Sequence, residues 1–291
     1  MAHVGLVPVI YREVLNARQF PREPEPALVM DDPEEVRAYA DAGRAEGLMA
    51  AAYLFHTARI SQVIHGCRDV VDLGCGPATQ LCQVASLNPS VRFTGVDLSP
   101  SMLESAQTHV TENGLDNVAL LECDITRLRA FRSASVDGVI STLALHHLPS
   151  AAHLESCFDE IARILRPGGA IYVADFGRLK SLKSVLYFAY MNAKHQPHVF
   201  SLDYERSLRA AFLADELRAM ASRKLPKGVR VHCTFLAPLL VAIQTEPKRL
   251  PDAVKARLTA MRKQLPRRYR IDLDELRQFF RLGGLPGDAF R

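Results

Sequence analysis

Val70-Val71-Asp72-Leu73-Gly74-Cys75-Gly76-Pro77-Ala78 is the stretch that decides how this chain reads. An apolar run ends in a turn with two glycines, whose missing side chains let the backbone approach a ligand. Twenty-one residues beyond Gly76, a second apolar run ends in Thr94-Gly95-Val96-Asp97. In a βαβ unit this spacing brings the carboxylate to the carboxyl edge of the neighbouring strand, where it can accept hydrogen bonds from two ribose hydroxyls. A glycine turn alone is a common structural device, and an aspartate alone is a common helix cap. Together in one βαβ unit they predict a nucleoside site. The dinucleotide fingerprint G-x-G-x-x-G stays incomplete, because Thr79 stands at the third glycine. That leans away from a nicotinamide cofactor and its pyrophosphate.

The alternation continues downstream. Short β runs at 69–73, 92–96, 119–122, 136–141 and 170–175 alternate with helical stretches near 79–87, 100–113 and 151–165. Such alternation implies parallel strands joined by right-handed crossovers. Asn113-Gly114 and Pro167-Gly168-Gly169 read as stops and turns. Two further β runs, 229–235 and 239–244, have only Leu236-Ala237-Pro238 between them, so they must pair antiparallel. Residues 176–228 read as a helical insertion, too long for a single crossover helix. Before the first strand, the prolines of residues 1–32 favour an extended arm, and Asp32-Pro33-Glu34-Glu35 reads as a helix start leading to Ile64. After the last strand, helices are expected near 252–264 and 272–282.

Composition is that of an ordinary soluble globular protein, with 48% hydrophobic and 23% charged residues. A net charge of +4 forces no polyanionic partner. Six cysteines without a C-x-x-C pair suit reduced thiols better than a disulfide framework or zinc site, so no metal is expected. The opening residues lack the pattern of a signal peptide, and no apolar window of about 18 residues reads as a membrane span. The expected location is cytoplasmic, without a membrane partner.

Asp72-x-Gly74-x-Gly76-x-Ala78 resembles the first motif of class I S-adenosylmethionine (SAM)-dependent methyltransferases, with alanine in the last glycine position. Asp97-Leu98-Ser99-Pro100-Ser101-Met102 resembles the second motif, Cys123-Asp124-Ile125 the segment after strand three, and Ser141-Thr142-Leu143-Ala144-Leu145-His146-His147 the loop bordering the reacting methyl. The resemblance spans roughly residues 64–245. It implies an α/β, Rossmann-like seven-stranded sheet, mostly parallel with a terminal antiparallel hairpin, helices on both faces, a helical lid insertion, and N- and C-terminal helical additions. Three regions follow: an arm with helices at 1–64, the SAM-binding domain at 65–245, and a helical extension at 246–291. The implied cofactor is SAM, with S-adenosylhomocysteine (SAH) as product. It would be bound by Asp72, Gly74, Cys75, Gly76, Asp97, Leu98, Met102, Asp124, Ile125 and Thr142. Asp97 would take the ribose and Asp124 the adenine amino group.

SAM carries the reactive group, so the protein must align an acceptor and, for oxygen or nitrogen, provide a base. His146 and His147 stand at the carboxyl end of strand four, where ligands bind α/β sheets, and are the candidate catalytic residues. They are otherwise explained as loop hydrogen-bonders. Asp175 either orients an acceptor or caps a helix. In the insertion, Tyr187, Tyr190, His195 and Tyr204 are candidates for a substrate lid, although such a stripe also suits ordinary core. Quinone and arsenite enzymes share the motif wording, but the six cysteines do not cluster in the lid. The expected partner is a small-molecule acceptor, with RNA or a peptide as alternative, or a non-catalytic SAM-binding role. The basic run from Lys248 to Arg270 is better read as a solvated helical face than as a nucleic-acid surface, and a homodimer is compatible with the sequence.

Overall fold

The computed structural model describes residues 6–16, 19–26, 36–37, 40 and 47–290. Seven strands form one sheet in the order β3-β2-β1-β4-β5-β7-β6. They are β1 (Asp69–Leu73), β2 (Arg92–Asp97), β3 (Val118–Glu122), β4 (Val136–Thr142), β5 (Leu165–Phe176), β6 (Arg230–Cys233) and β7 (Leu240–Gln244). The first five run parallel, and β7 pairs antiparallel with both β5 and β6. Helices cover both faces, which is why successive residues of β1 are buried on either side, with Val70, Val71 and Leu73 no more than 1% exposed. The strand order reverses between β1 and β4, and this switch point opens a crevice at the carboxyl ends of the strands.

The crossover helices are α3 (Thr79–Leu87), α4 (Pro100–Glu112) and α5 (Ala151–Ile164). Ser99 caps α4 by accepting from the Met102 amide, with Pro100 in the first turn, and Ser150 does the same for α5 through His153. The insertion after β5 holds α6 (Leu182–Tyr190), α7 (His198–Ala210) and α8 (Ala214–Lys224), helical as expected.

Three readings need correction. Residues 6–15 form a helix, α1 (Leu6–Leu15), where an extended arm was expected; the described residues 19–26 carry no regular secondary structure. Asp32-Pro33-Glu34-Glu35 lie outside the described residues. Pro167-Gly168-Gly169 do not precede β5 but interrupt its ladder. The pairs Val136↔Leu165 and Gly138↔Ala170 bracket them, and Gly168 at φ 75 supplies the kink. The last helix, α10 (Arg267–Leu282), begins straight after Pro266, because that proline and not an acidic cap starts it.

All but one residue of the 14-residue α2 (Ala50–Val63) are buried. One side meets α3 and β5, the other α9 (Asp252–Gln264) and α10, with Phe55 and Phe280 stacked at 5.0 Å between centroids. The C-terminal extension is therefore part of the core. Four of its basic residues are tied internally: Arg262 to Asp274, Arg268 to Asn192, Lys248 to the His65 carbonyl and Arg257 to that of Ser86. No helix among the described residues is long and apolar enough to cross a membrane.

Candidate active site

The crevice has a volume of about 940 Å³ including its open mouth, within the usual range for cofactor sites. Its floor is the turn after β1. Gly74 and Gly76 sit at φ 70 and 53, and the Gly74 and Cys75 amides both donate to the Val96 carbonyl. A Cβ on Gly74 would stand 2.4 Å from that of Ala144, so the loop after β4 closes directly on the turn. Ala78 also lies in the left-handed region, at φ 57. Glycine would adopt that conformation without strain, and alanine costs about 1 kcal/mol there.

The Asp97 carboxylate is held by two backbone amides, Gly76 to Oδ2 at 2.8 Å and Ser99 to Oδ1 at 3.0 Å. Each oxygen keeps a lone pair for a hydroxyl in the crevice. Asp124 caps its own turn through Oδ1, which accepts from the Thr126 amide and hydroxyl at 2.8 and 2.7 Å. Leu98, Met102 and Ile125 add an apolar wall suited to a planar base. Burial and then the nearby Asp97 raise the Asp72 carboxyl to about 7, a penalty that a cationic ligand would relieve.

Seven of the ten residues read as cofactor-binding line the crevice: Gly74, Gly76, Asp97, Leu98, Met102, Asp124 and Ile125. Asp72, Cys75 and Thr142 do not. The Cys75 sulfur turns away to pack over Gly95 and the core beside α3, its thiol pushed well up by burial and then by Asp72 and Asp97. At the far wall it is Leu143 and Ala144, not Thr142, that face the cavity.

The two histidines have separate roles. His146 is 2% exposed, donating its backbone amide to Asp175 Oδ2 at 2.9 Å with Nδ1 2.7 Å from Oδ1. That settles Asp175: it braces the turn. His147 lines the crevice, and its Nδ1 lies 2.8 Å from Oε2 of Glu25. Glu25 was not foreseen, since nothing local in the proline-rich arm marks it. Arg22, three residues earlier, pins the arm in place. Its guanidinium donates to the carbonyls of His146, Leu148, Pro149 and Ala210 and sits 4.0 Å over the Phe212 ring. Burial pushes the Glu25 carboxyl up, but the His147 hydrogen bond and the charges of both imidazoles outweigh it and hold it at about 2. Donor atoms of Glu25, His146 and His147 all lie within 4.8 Å of one another.

None of the expected lid residues lines this crevice. Tyr190 donates to Glu205 at 2.8 Å, Tyr204 packs on Phe176, Tyr187 joins the core and His195 is exposed. The helical periodicity that suggested a lid reflects packing between α6, α7 and the sheet.

Residues 70–169 match the methyltransferase domain family. The 27-O-demethylrifamycin SV methyltransferase of Amycolatopsis mediterranei is 30% identical over 107 residues, 37% of this chain and 38% of that protein. The tRNA (guanine-N(7)-)-methyltransferase of Geobacillus kaustophilus is 38% identical over 76 residues, 26% of this chain and 34% of its own length. In fold, the chain is similar to the plantazolicin methyltransferase BpumL, solved with SAH, at TM-score 0.52 and 16% identity, covering 74% of this chain and 91% of that one. This chain contains a class I SAM-dependent methyltransferase domain. The matched stretch spans about two fifths of the first curated relatives' length. SAM is the cofactor of this family, and the crevice fits it: paired lone pairs at Asp97 for a ribose and the Asp124 carboxylate beside an apolar slot for the base.

Proposed function

We propose that the protein transfers a methyl group from SAM to a small-molecule acceptor. The observation that carries this is the crevice itself, a recess of about 940 Å³ whose far-wall turn is backed by the strap at residues 19–26 through Arg22 and Glu25. A recess admits a compact acceptor more readily than a polynucleotide. The relative named for a rifamycin derivative supports this reading, and so does the internal pairing of Lys248, Arg262 and Arg268 in the C-terminal basic run.

SAM supplies an electrophilic methyl on sulfur. The chain's own residues hold and orient: Asp97 takes the ribose hydroxyls, Asp124 and the wall of Leu98, Met102 and Ile125 take the base, and the glycine turn admits the methionine end. Leu143, Ala144 and Leu148 exclude water around the acceptor, and His147 offers an imidazole to its proton.

The test is calorimetric titration with SAM, SAH and NADH, followed by SAH release with pooled small phenols, acids and amines beside pooled tRNA and peptides. SAM binding with SAH release from a small acceptor is expected. Release only with tRNA or peptides would overturn the acceptor class, and NADH binding without SAM binding would overturn the cofactor.

A further inference from the structure

His147 presents one ring nitrogen to Glu25 and leaves the other unpartnered among the described residues, on a side chain that lines the crevice. Glu25 is committed on both oxygens: Oε2 to His147 and Oε1 to the Ser207 hydroxyl of α7 at 2.9 Å. His146 is likewise engaged by Asp175 at Nδ1, and its Nε2 stands 3.9 Å from Glu25, beyond a hydrogen bond. The side chains are thus arranged as a carboxylate steering one imidazole, with that imidazole aimed at the cavity.

We infer that Glu25, delivered by the Arg22-pinned strap, is the positioning residue of a Glu25–His147 dyad, and that the acceptor is a nucleophile with an O–H or N–H proton to lose. This rests on the proposed methyl transfer. As the bond from acceptor oxygen or nitrogen to methyl forms, the methyl–sulfur bond breaks and its electron pair stays on sulfur. The acceptor's proton passes to Nε2 of His147, and the resulting imidazolium is stabilised through Nδ1–H by the Glu25 carboxylate. No further reagent is needed.

The electrostatics agree. Burial lowers the His147 pKa, but the Glu25 hydrogen bond and charge, with Asp203 of α7 and Asp175 of β5 behind them, raise it above its ordinary value. The other charged or titratable groups facing the turn are His146, His153 of α5, and the Arg22 guanidinium on its carbonyls. Because the carboxylate comes from an arm far away in sequence, the base is complete only when the strap is docked.

The experiment compares the 291-residue chain with its Glu25→Gln, Glu25→Asp and His147→Asn variants. His147 is titrated by NMR with the His147→Asn spectrum as assignment, SAM affinity is measured by calorimetry, and turnover against pH is followed with whichever acceptor releases SAH. Expected for Glu25→Gln are a lower His147 pKa, an acidic limb of kcat moved to lower pH, and kcat down about 10- to 100-fold, the worth of one charge-assisted hydrogen bond. SAM affinity stays unchanged, and Glu25→Asp recovers part of the rate. A His147 titration indifferent to Glu25→Gln overturns the dyad. So does stoichiometric metal in the purified protein whose removal abolishes turnover, because the triad of Glu25, His146 and His147 would then be a metal site. Undiminished turnover by His147→Asn of an acceptor lacking such a proton overturns the acceptor class. Failure to bind SAM defeats the proposed function, while the NMR titration still decides the dyad.

Discussion

The two sides of the crevice are built on different principles. On the cofactor side, the decisive contact joins the Gly76 amide to Asp97, 21 residues apart and within one βαβ unit. On the acceptor side, Arg22 reaches the carbonyls of His146, Leu148 and Pro149 across 124, 126 and 127 residues. The first side is a local motif whose geometry follows from two adjacent parallel strands. The second is assembled from a strap, the turn after β4 and a helix of the insertion, none of which specifies the others. A shared cofactor needs a fixed cradle, while a changing acceptor needs parts that vary independently.

If the sides are separable, substitutions should split affinity from turnover. His147→Ala is expected to cut kcat about 10²- to 10⁴-fold, the worth of a general base, with calorimetric SAM affinity unchanged. Weaker SAM binding by the same factor would show that the turn after β4 belongs to the cofactor cradle. In the other direction, Asp97→Ala removes the carboxylate proposed to take the ribose hydroxyls and is expected to weaken SAM on the order of 10²- to 10³-fold. An Asp97→Ala protein that binds SAM normally but turns over slowly would break the comparison from the other side.

The same division explains what could be read before the fold was known. Alternating β and helical runs placed all seven strands to within a few residues, except that β5 starts earlier, because a ladder can continue through a Pro-Gly-Gly kink that sequence reads as a boundary. The glycine turn and Asp97 were legible from their spacing within one βαβ unit, whereas Asp124 and the base wall entered only through the resemblance to the methyltransferase motifs. Glu25 was not, because its role comes from a hydrogen bond to a histidine on another element, and no periodicity or spacing encodes that pairing. The lid tyrosines erred in the opposite sense: an aromatic helical stripe is the pattern of core as much as of a binding face, and in α6 and α7 core won.

A gentler test acts on the strap alone. Arg22→Ala deletes four hydrogen bonds to carbonyls, that of His146 among them, and a contact over Phe212 while leaving both imidazoles in place. Hydrogen exchange of residues 19–26 should accelerate, and turnover should fall about 10-fold, roughly one such interaction's worth. Strap docking should also depend on pH. Glu25 has its carboxyl lowered from 4.5 to about 2, so its contribution is present above about 4.5 and is lost as pH falls from there. His147 is raised above 6.5, so its contribution is complete below 6.5 and is lost as pH rises through the raised value. Protection of residues 19–26 should therefore peak between these limits. Protection still rising at alkaline pH would mean that the Glu25–His147 pair does not hold the strap.

The smallest expected effect falls on the residue that sequence placed in the cofactor site and the structure turns away from it. Cys75→Ala removes one sulfur packed over Gly95 and the core beside α3, while the backbone amide that bonds Val96 is untouched. Loss of so small a buried group costs about 1 kcal/mol of stability, read as a shift in the thermal midpoint of a few degrees or less. SAM affinity and turnover should be unaltered, because only the backbone of the turn faces the crevice. A Cys75→Ala protein with weakened SAM binding would mean that the thiol's packing sets the turn's position. The cradle would then rest on the core behind it as well as on Asp97, and the cofactor side would be less local than its motif.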